Sequence, residues 1–201
     1  MAVKVVTTET DLGDAGFRAG VKRLIDQYEK GYVNDPADRG GKTRYGITEA
    51  TARENGYKGD MADLPRDVAE DIYRKQYWMA PKLDKVSEID APLAGILFNL
   101  GVLRGCNPVI KGLQTALNYY GCDLNVDGVL GTKTLDALKD IAKRYGLDGV
   151  ALGVASESAD AFRRLAFSVP SQRGFLRGWL NRAGGVMVDY AADKTAAAAA
   201  A

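Results

Sequence analysis

Histidine is absent from all 201 residues. That absence excludes Ser-His-Asp and Cys-His catalysis and most zinc chemistry, and leaves carboxylates as the natural groups for moving protons. Cysteine is scarce. Cys106 and Cys122 form no CxxC pair and have nothing to complete a metal site, so no metal is expected and free thiols are favoured over a disulfide. Neither sign of charge dominates, with 27 Lys plus Arg against 26 Asp plus Glu, and bulk charge predicts no nucleic-acid partner. No window approaches the ~20 apolar residues of a membrane span. The opening MAVKVVTTETDLGDAGF lacks a basic start followed by an apolar run, so no signal for export is legible.

What is present is the composition of a soluble globular protein, 46% hydrophobic and 26% charged, long enough for one large or two small domains. The most informative stretch is Tyr28 to Thr48, YEKGYVNDPADRGGKTRYGIT. It holds three Asp or Asn, three Tyr, two Thr and four Gly. A loop so long in a compact domain is uncommon and, when ordered, is usually functional. It follows a predicted helix over about 15–29, in which Phe17, Val21, Leu24, Ile25 and Tyr28 share one face. Glu29 sits at the edge of that face. A rigid, partly desolvated position of this kind suits a general acid, because desolvation raises a carboxyl pKa.

Further along, Tyr45 and Ile47 alternate with small residues, predicting a short strand or hairpin, and Thr48 is a candidate N-cap for the next helix. Pro65 opens a helix with Val68, Ile72, Tyr73, Tyr77 and Trp78 on a broad aromatic face, ended by Pro81. That face reads as core by its spacing. Ala91 to Leu103 is apolar enough for a central buried helix. Helices are then expected at about 109–120, 132–145 and 154–168, with Ser171 capping a last one through Arg182. Asp127-Gly128 lacks the further acidic ligands of a calcium loop and reads as a structural turn. Residues 1–14 look like a polar lead-in and KTAAAAAA after Asp193 like a tail. Ala161 to Arg182 contains Arg163, Arg164, Arg173, Arg177 and Arg182 but no acid, either a solvated face or one attracted to anionic wall polymers. The fold class is mainly α with a small β element in the Glu29 loop.

EKGYVNDPADRGGKTRYGIT resembles the signature of glycoside hydrolase family 108, the N-acetylmuramidase type of phage and bacterial lysozyme, with Lys30 where the motif carries Gly. YRKQYW (Tyr73 to Trp78) and LAGILFNLGVLRG (Leu93 to Gly105) resemble that family's aromatic and core helices, although Asn99 and Leu103 depart from its Asp and Asn. LQTALNYYGCDLNVDGVLGTKTLDAL resembles the helical peptidoglycan-binding module that follows, through Leu113, Gln114, Asp127, Gly128, Gly131 and Thr134; RGFLRGWLNRA resembles its closing helix. The resemblance implies a lysozyme-like catalytic domain over 1–106, a wall-binding module over 107–192 and a tail over 193–201.

It also implies hydrolysis of the β-1,4 bond between N-acetylmuramic acid and N-acetylglucosamine, without a cofactor, by a monomer that reaches the wall from the cytoplasm through an external release route. Glu29 would be the acid. By likeness to the Glu/Asp/Thr arrangement of phage lysozymes, Asp38 is the second carboxylate and Thr43 its water-positioning partner, with Asp35 the rival to Asp38. Tyr32 and Tyr45 are either sugar-stacking or core residues. A water held by Asp38 and Thr43 favours inversion over retention. Two other readings stay open: a lytic transglycosylase, which needs no second carboxylate, and a non-enzymatic wall-binding or secretion-assisting protein.

Overall fold

The computed structural model describes residues 9–28, 31–33 and 42–200. Glu29, Asp35 and Asp38 lie outside the described residues. The architecture is mainly α, a lysozyme-like fold with a C-terminal helical module.

The first helix, α1 (Glu9–Arg23), continues into a π-helical turn, Leu24–Tyr28. It begins at Glu9, earlier than the expected residue 15, since a helix start needs no apolar residue. Three short strands follow, β1 (Tyr32–Val33), β2 (Thr43–Arg44) and β3 (Ile47–Thr48), in one antiparallel sheet of order β1-β2-β3. Thr48 then caps α2 (Glu49–Glu54) by accepting from Thr51 N, as its side-chain chemistry predicts.

The expected single helix from Pro65 is α3 (Arg66–Tyr73) followed by a second π-helical turn, Arg74–Met79. Its aromatic face is core. Trp78 and Tyr73 are fully buried, and Phe98 meets both rings edge-on at 6.0 and 6.1 Å. After α4 (Leu83–Ser87) comes α5 (Ala91–Arg104), apolar on nearly every side and capped by Asp90, which accepts from Leu93 N at 2.8 Å. A helix apolar all round belongs in the middle. It packs against α1 and α4 on one side and against the C-terminal helices on the other. Gly20 lets α1 approach: a Cβ there would stand 3.0 Å from the Phe98 ring.

The C-terminal half comprises α6 (Cys106–Asn118), α7 (Thr132–Tyr145), α8 (Asp148–Ser168), a 3-10 segment Pro170–Phe175 and α9 (Leu176–Ala200). Helix α8 starts six residues before the expected 154 because Gly149 and Gly153, weak helix formers, are needed for contact. Cβ atoms there would meet Tyr120 Oη at 2.1 Å and Ala116 Cβ at 2.8 Å.

The expected end at Arg182 and tail from 193 are also corrected: α9 runs to Ala200. Alanine is the best helix former, and two charged residues of the supposed tail are docked. Asp193 accepts from Arg23 at 2.8 and 3.0 Å, and Lys194 donates to Asp90 at 3.1 Å. The buried residues of both halves form one continuous cluster. Across it, Arg182 Nε donates to Asn99 Oδ1 at 2.7 Å, both residues being buried. Cys106 and Cys122 are free thiols.

Candidate active site

The hairpin is set by two residues. Arg44 pairs with Ile47 and Thr43 with Thr48, leaving Tyr45-Gly46 as a two-residue loop. Both take positive φ, 51° and 73°, the requirement of the hairpin turn whose twist matches its strands. Gly46 meets it at no cost, whereas Tyr45 must be held there. Its carbonyl accepts from Tyr73 Oη at 2.9 Å, its N–H donates to Gly31 O at 3.3 Å, and the Arg44 guanidinium lies 5.2 Å from its ring centre. Ile47, 3% exposed, roots the hairpin in the core.

Thr43 therefore lies on the middle strand, with Val33 opposite on one side and Thr48 on the other. Val33 and Thr43 flank the segment that carries Asp35 and Asp38, so its two ends are held together by the sheet. The Tyr45–Gly31 bond returns the hairpin tip to a residue two places after Glu29. Tyr32 is 39% exposed on the edge strand β1, while Tyr45 is half-buried against the core. Tyr32 thus presents part of its ring to solvent, and Tyr45 packs partly against the core.

The helical side is fastened independently. Asp26, three residues before Glu29, accepts from Arg66 and Lys22, each at 2.8 Å, and Arg66 also donates to Glu70 at 2.7 Å. Hydrogen bonds from Lys22 and then Arg66 hold the Asp26 carboxyl below its usual range. These pairs border a groove of about 500 Å³ between α1 and α3. The turn that leads to Glu29 is π-helical, a rare geometry often found at functional sites. The roles of Tyr73 and Arg66 were not legible in the sequence. Tyr73 announced itself only as core, and its hydroxyl is the part that reaches the hairpin.

Residues 23–105 match the family described as Glycosyl hydrolase 108, and residues 108–184 match Predicted Peptidoglycan domain. The chain is thus similar to a glycosyl hydrolase 108 domain over its N-terminal half and to a peptidoglycan domain over its C-terminal half. Among solved structures it is similar to SagA of Brucella abortus, with 28% identity and a TM-score of 0.68 over 88% of this chain and 94% of that one. No curated protein matches it. The pairing makes the protein a glycoside hydrolase acting on peptidoglycan.

In the peptidoglycan domain the motif residues hold one another. Gln114, 1% exposed, donates to Asp127 Oδ1 at 2.8 Å, to Val129 O at 3.2 Å and to Thr134 Oγ1 at 3.3 Å. Its carbonyl accepts from Gly128 N at 2.8 Å. Asp127 also accepts from Val129 N at 2.9 Å, and the hydrogen bonds from Gln114 and Val129 lower its pKa. Gly128 has φ 79°, and a Cβ there would strike Asn107 Nδ2 at 2.3 Å. The Asp127-Gly128 turn is thus structural, closed by Gln114 and Asn107.

Proposed function

We propose that the protein is an N-acetylmuramidase that cleaves the β-1,4 bond between N-acetylmuramic acid and N-acetylglucosamine. Glu29 protonates the leaving oxygen, Asp38 is the second carboxylate, and Thr43 shares with it the attacking water. The observation that carries this reading is the backbone path. The sheet pairs Thr43 with Val33, and the hairpin tip bonds back to Gly31, so a hydroxyl far along the loop is registered against the segment next to Glu29. Breaking a glycosidic bond through an oxocarbenium-like state asks for an acid on one face and an activated water on the other. A threonine hydroxyl, both donor and acceptor, can position such a water beside a carboxylate. Tyr32 offers its exposed ring to a sugar, and Asp35 contributes to substrate binding. The peptidoglycan domain keeps the enzyme on the wall.

Digestion of purified sacculi, with mass spectrometry of the products, tests the bond and the reaction together. Reducing N-acetylmuramic acid ends are expected. Anhydro-muramic ends would replace the reading with a lytic transglycosylase, and intact sacculi with a non-enzymatic wall binder. Proton NMR before mutarotation should show the α-anomer first, the signature of inversion; a β-anomer would make Asp38 a nucleophile or bystander.

A further inference from the structure

The tip formed by the end of α8, the 3-10 segment and the start of α9 has no part in the chemistry above, yet its surface is unusual. Twelve large apolar or aromatic residues are exposed among the described residues, and four of them, Leu165, Phe167, Val169 and Phe175, fall within eleven positions. Phe167 is 84% exposed, the most of any. Exposed apolar residues scattered singly need no explanation, but a contiguous group marks an interaction site.

The group is rigidly mounted. A stack of rings runs outward from buried Phe162 to Trp179 at 5.2 Å and on to Phe175 at 5.9 Å. Arg173 Nε donates to Ala166 O at 3.1 Å, tying the 3-10 segment to the last turn of α8. Positive charge surrounds it. Arg163 and Arg164 precede Phe167 by four and three residues and share its side of α8, while Arg173 and Arg177 flank Phe175. From Ala161 to Val188 the chain has five arginines and no Asp or Glu. Arg182 among them is buried against Asn99, and Arg163 pairs with Asp160 at 2.6 Å. Arg104, half-buried beneath, has its pKa lowered chiefly by burial and further by Arg164, against the opposing charge of Glu157.

We propose that this tip docks onto the face of an anionic lipid bilayer, with Phe167 and Phe175 entering the headgroup boundary and the arginines meeting lipid phosphates. The charge alone would suit any polyanion. The exposed apolar group decides for lipid: a glycan stacks on a single ring face, as proposed for Tyr32, whereas Leu165, Phe167, Val169 and Phe175 together ask for an apolar layer, which an interface supplies. No helix among the described residues is long and apolar enough to cross a membrane, so the contact is peripheral. Each arginine near an anionic leaflet is worth about fivefold in partitioning. Docking would hold the hydrolase beside the membrane-proximal layer of its substrate, and it does not depend on which bond the enzyme cuts.

The test is co-sedimentation of the full chain with vesicles of phosphatidylcholine alone or mixed with phosphatidylglycerol. Binding is expected only with the anionic vesicles and should weaken as ionic strength rises. Phe167→Ser/Phe175→Ser should lower it by about tenfold or more, and Arg164→Glu/Arg177→Glu comparably, with circular dichroism and hydrolysis of solubilised peptidoglycan unchanged. Failure to bind anionic vesicles, equal binding to both vesicle types, or full binding by the double-serine variant would each overturn the proposal. Loss of sacculus binding in these variants without any vesicle binding would assign the tip to the wall instead.

Discussion

Two loops in this chain are built from the same vocabulary, and their described residues are held in different ways. Residues 28–48 and 121–131 are both rich in glycine, Asp or Asn, and each has a turn that needs positive φ. In the second, the polar groups are spent on the fold. Gln114 reaches Asp127, Gly128, Val129 and Thr134, and Asn107 donates to the carbonyls of Asp127 and Gly128. In the first, among the described residues, Tyr73 and Gly31 grip Tyr45 through its carbonyl and amide, and Thr48 caps α2. Turn residues in a sequence signal a loop; only their partners tell whether it serves structure or chemistry.

The contrast can be broken by substitution. Glu29→Gln should reduce sacculus clearing by at least ~10² while the melting temperature stays put, since the amide keeps size and hydrogen bonding but cannot donate the proton. Clearing at the wild-type rate by a folded variant would remove Glu29 from its role. Gln114→Ala should do the reverse, costing about 1–3 kcal/mol in urea unfolding because the Gly128 N–H and Thr134 hydroxyl lose a buried partner. Its turnover on solubilised fragments should hold. A variant of unchanged stability that lost wall binding would show that the motif faces a ligand after all.

Smaller effects sharpen the comparison. Tyr73→Phe should cost about 1 kcal/mol, the usual net worth of a hydrogen bond, and should slow turnover severalfold by loosening Tyr45, measured together on one preparation. The smallest is a pH effect. The Asp127 carboxyl titrates lower folded than its ordinary 3.8, so its stabilising contribution is present above that value and fades as pH falls through the depressed one. The gap in melting temperature between wild type and Asp127→Asn should therefore close below about pH 3.8.

Much of this fold was legible. Periodicity located α5 and α7, the Thr48 cap and the burial of Tyr73 and Trp78, since each depends on neighbours close in sequence. The misreadings share a cause. Gly149 and Gly153 look like helix breakers until α6 is packed against them, and Asp193 and Lys194 look like tail until Arg23 and Asp90 stand opposite. The candidate site divides the same way. The Glu29 motif and the hairpin could be read directly, whereas Tyr73 and Arg66 act through partners 28 and 40 residues away.

The ion pair between Arg23 and Asp193 spans 170 positions. On the ribosome, the helix that precedes Glu29 emerges well before the residues that seat it. Helix α5 likewise waits for Arg182 to reach Asn99. These contacts of α1 and α5 are therefore deferred until α9 arrives. Such distant closure slows folding, and it makes the seating of the helix before Glu29 wait on contacts made 170 positions away.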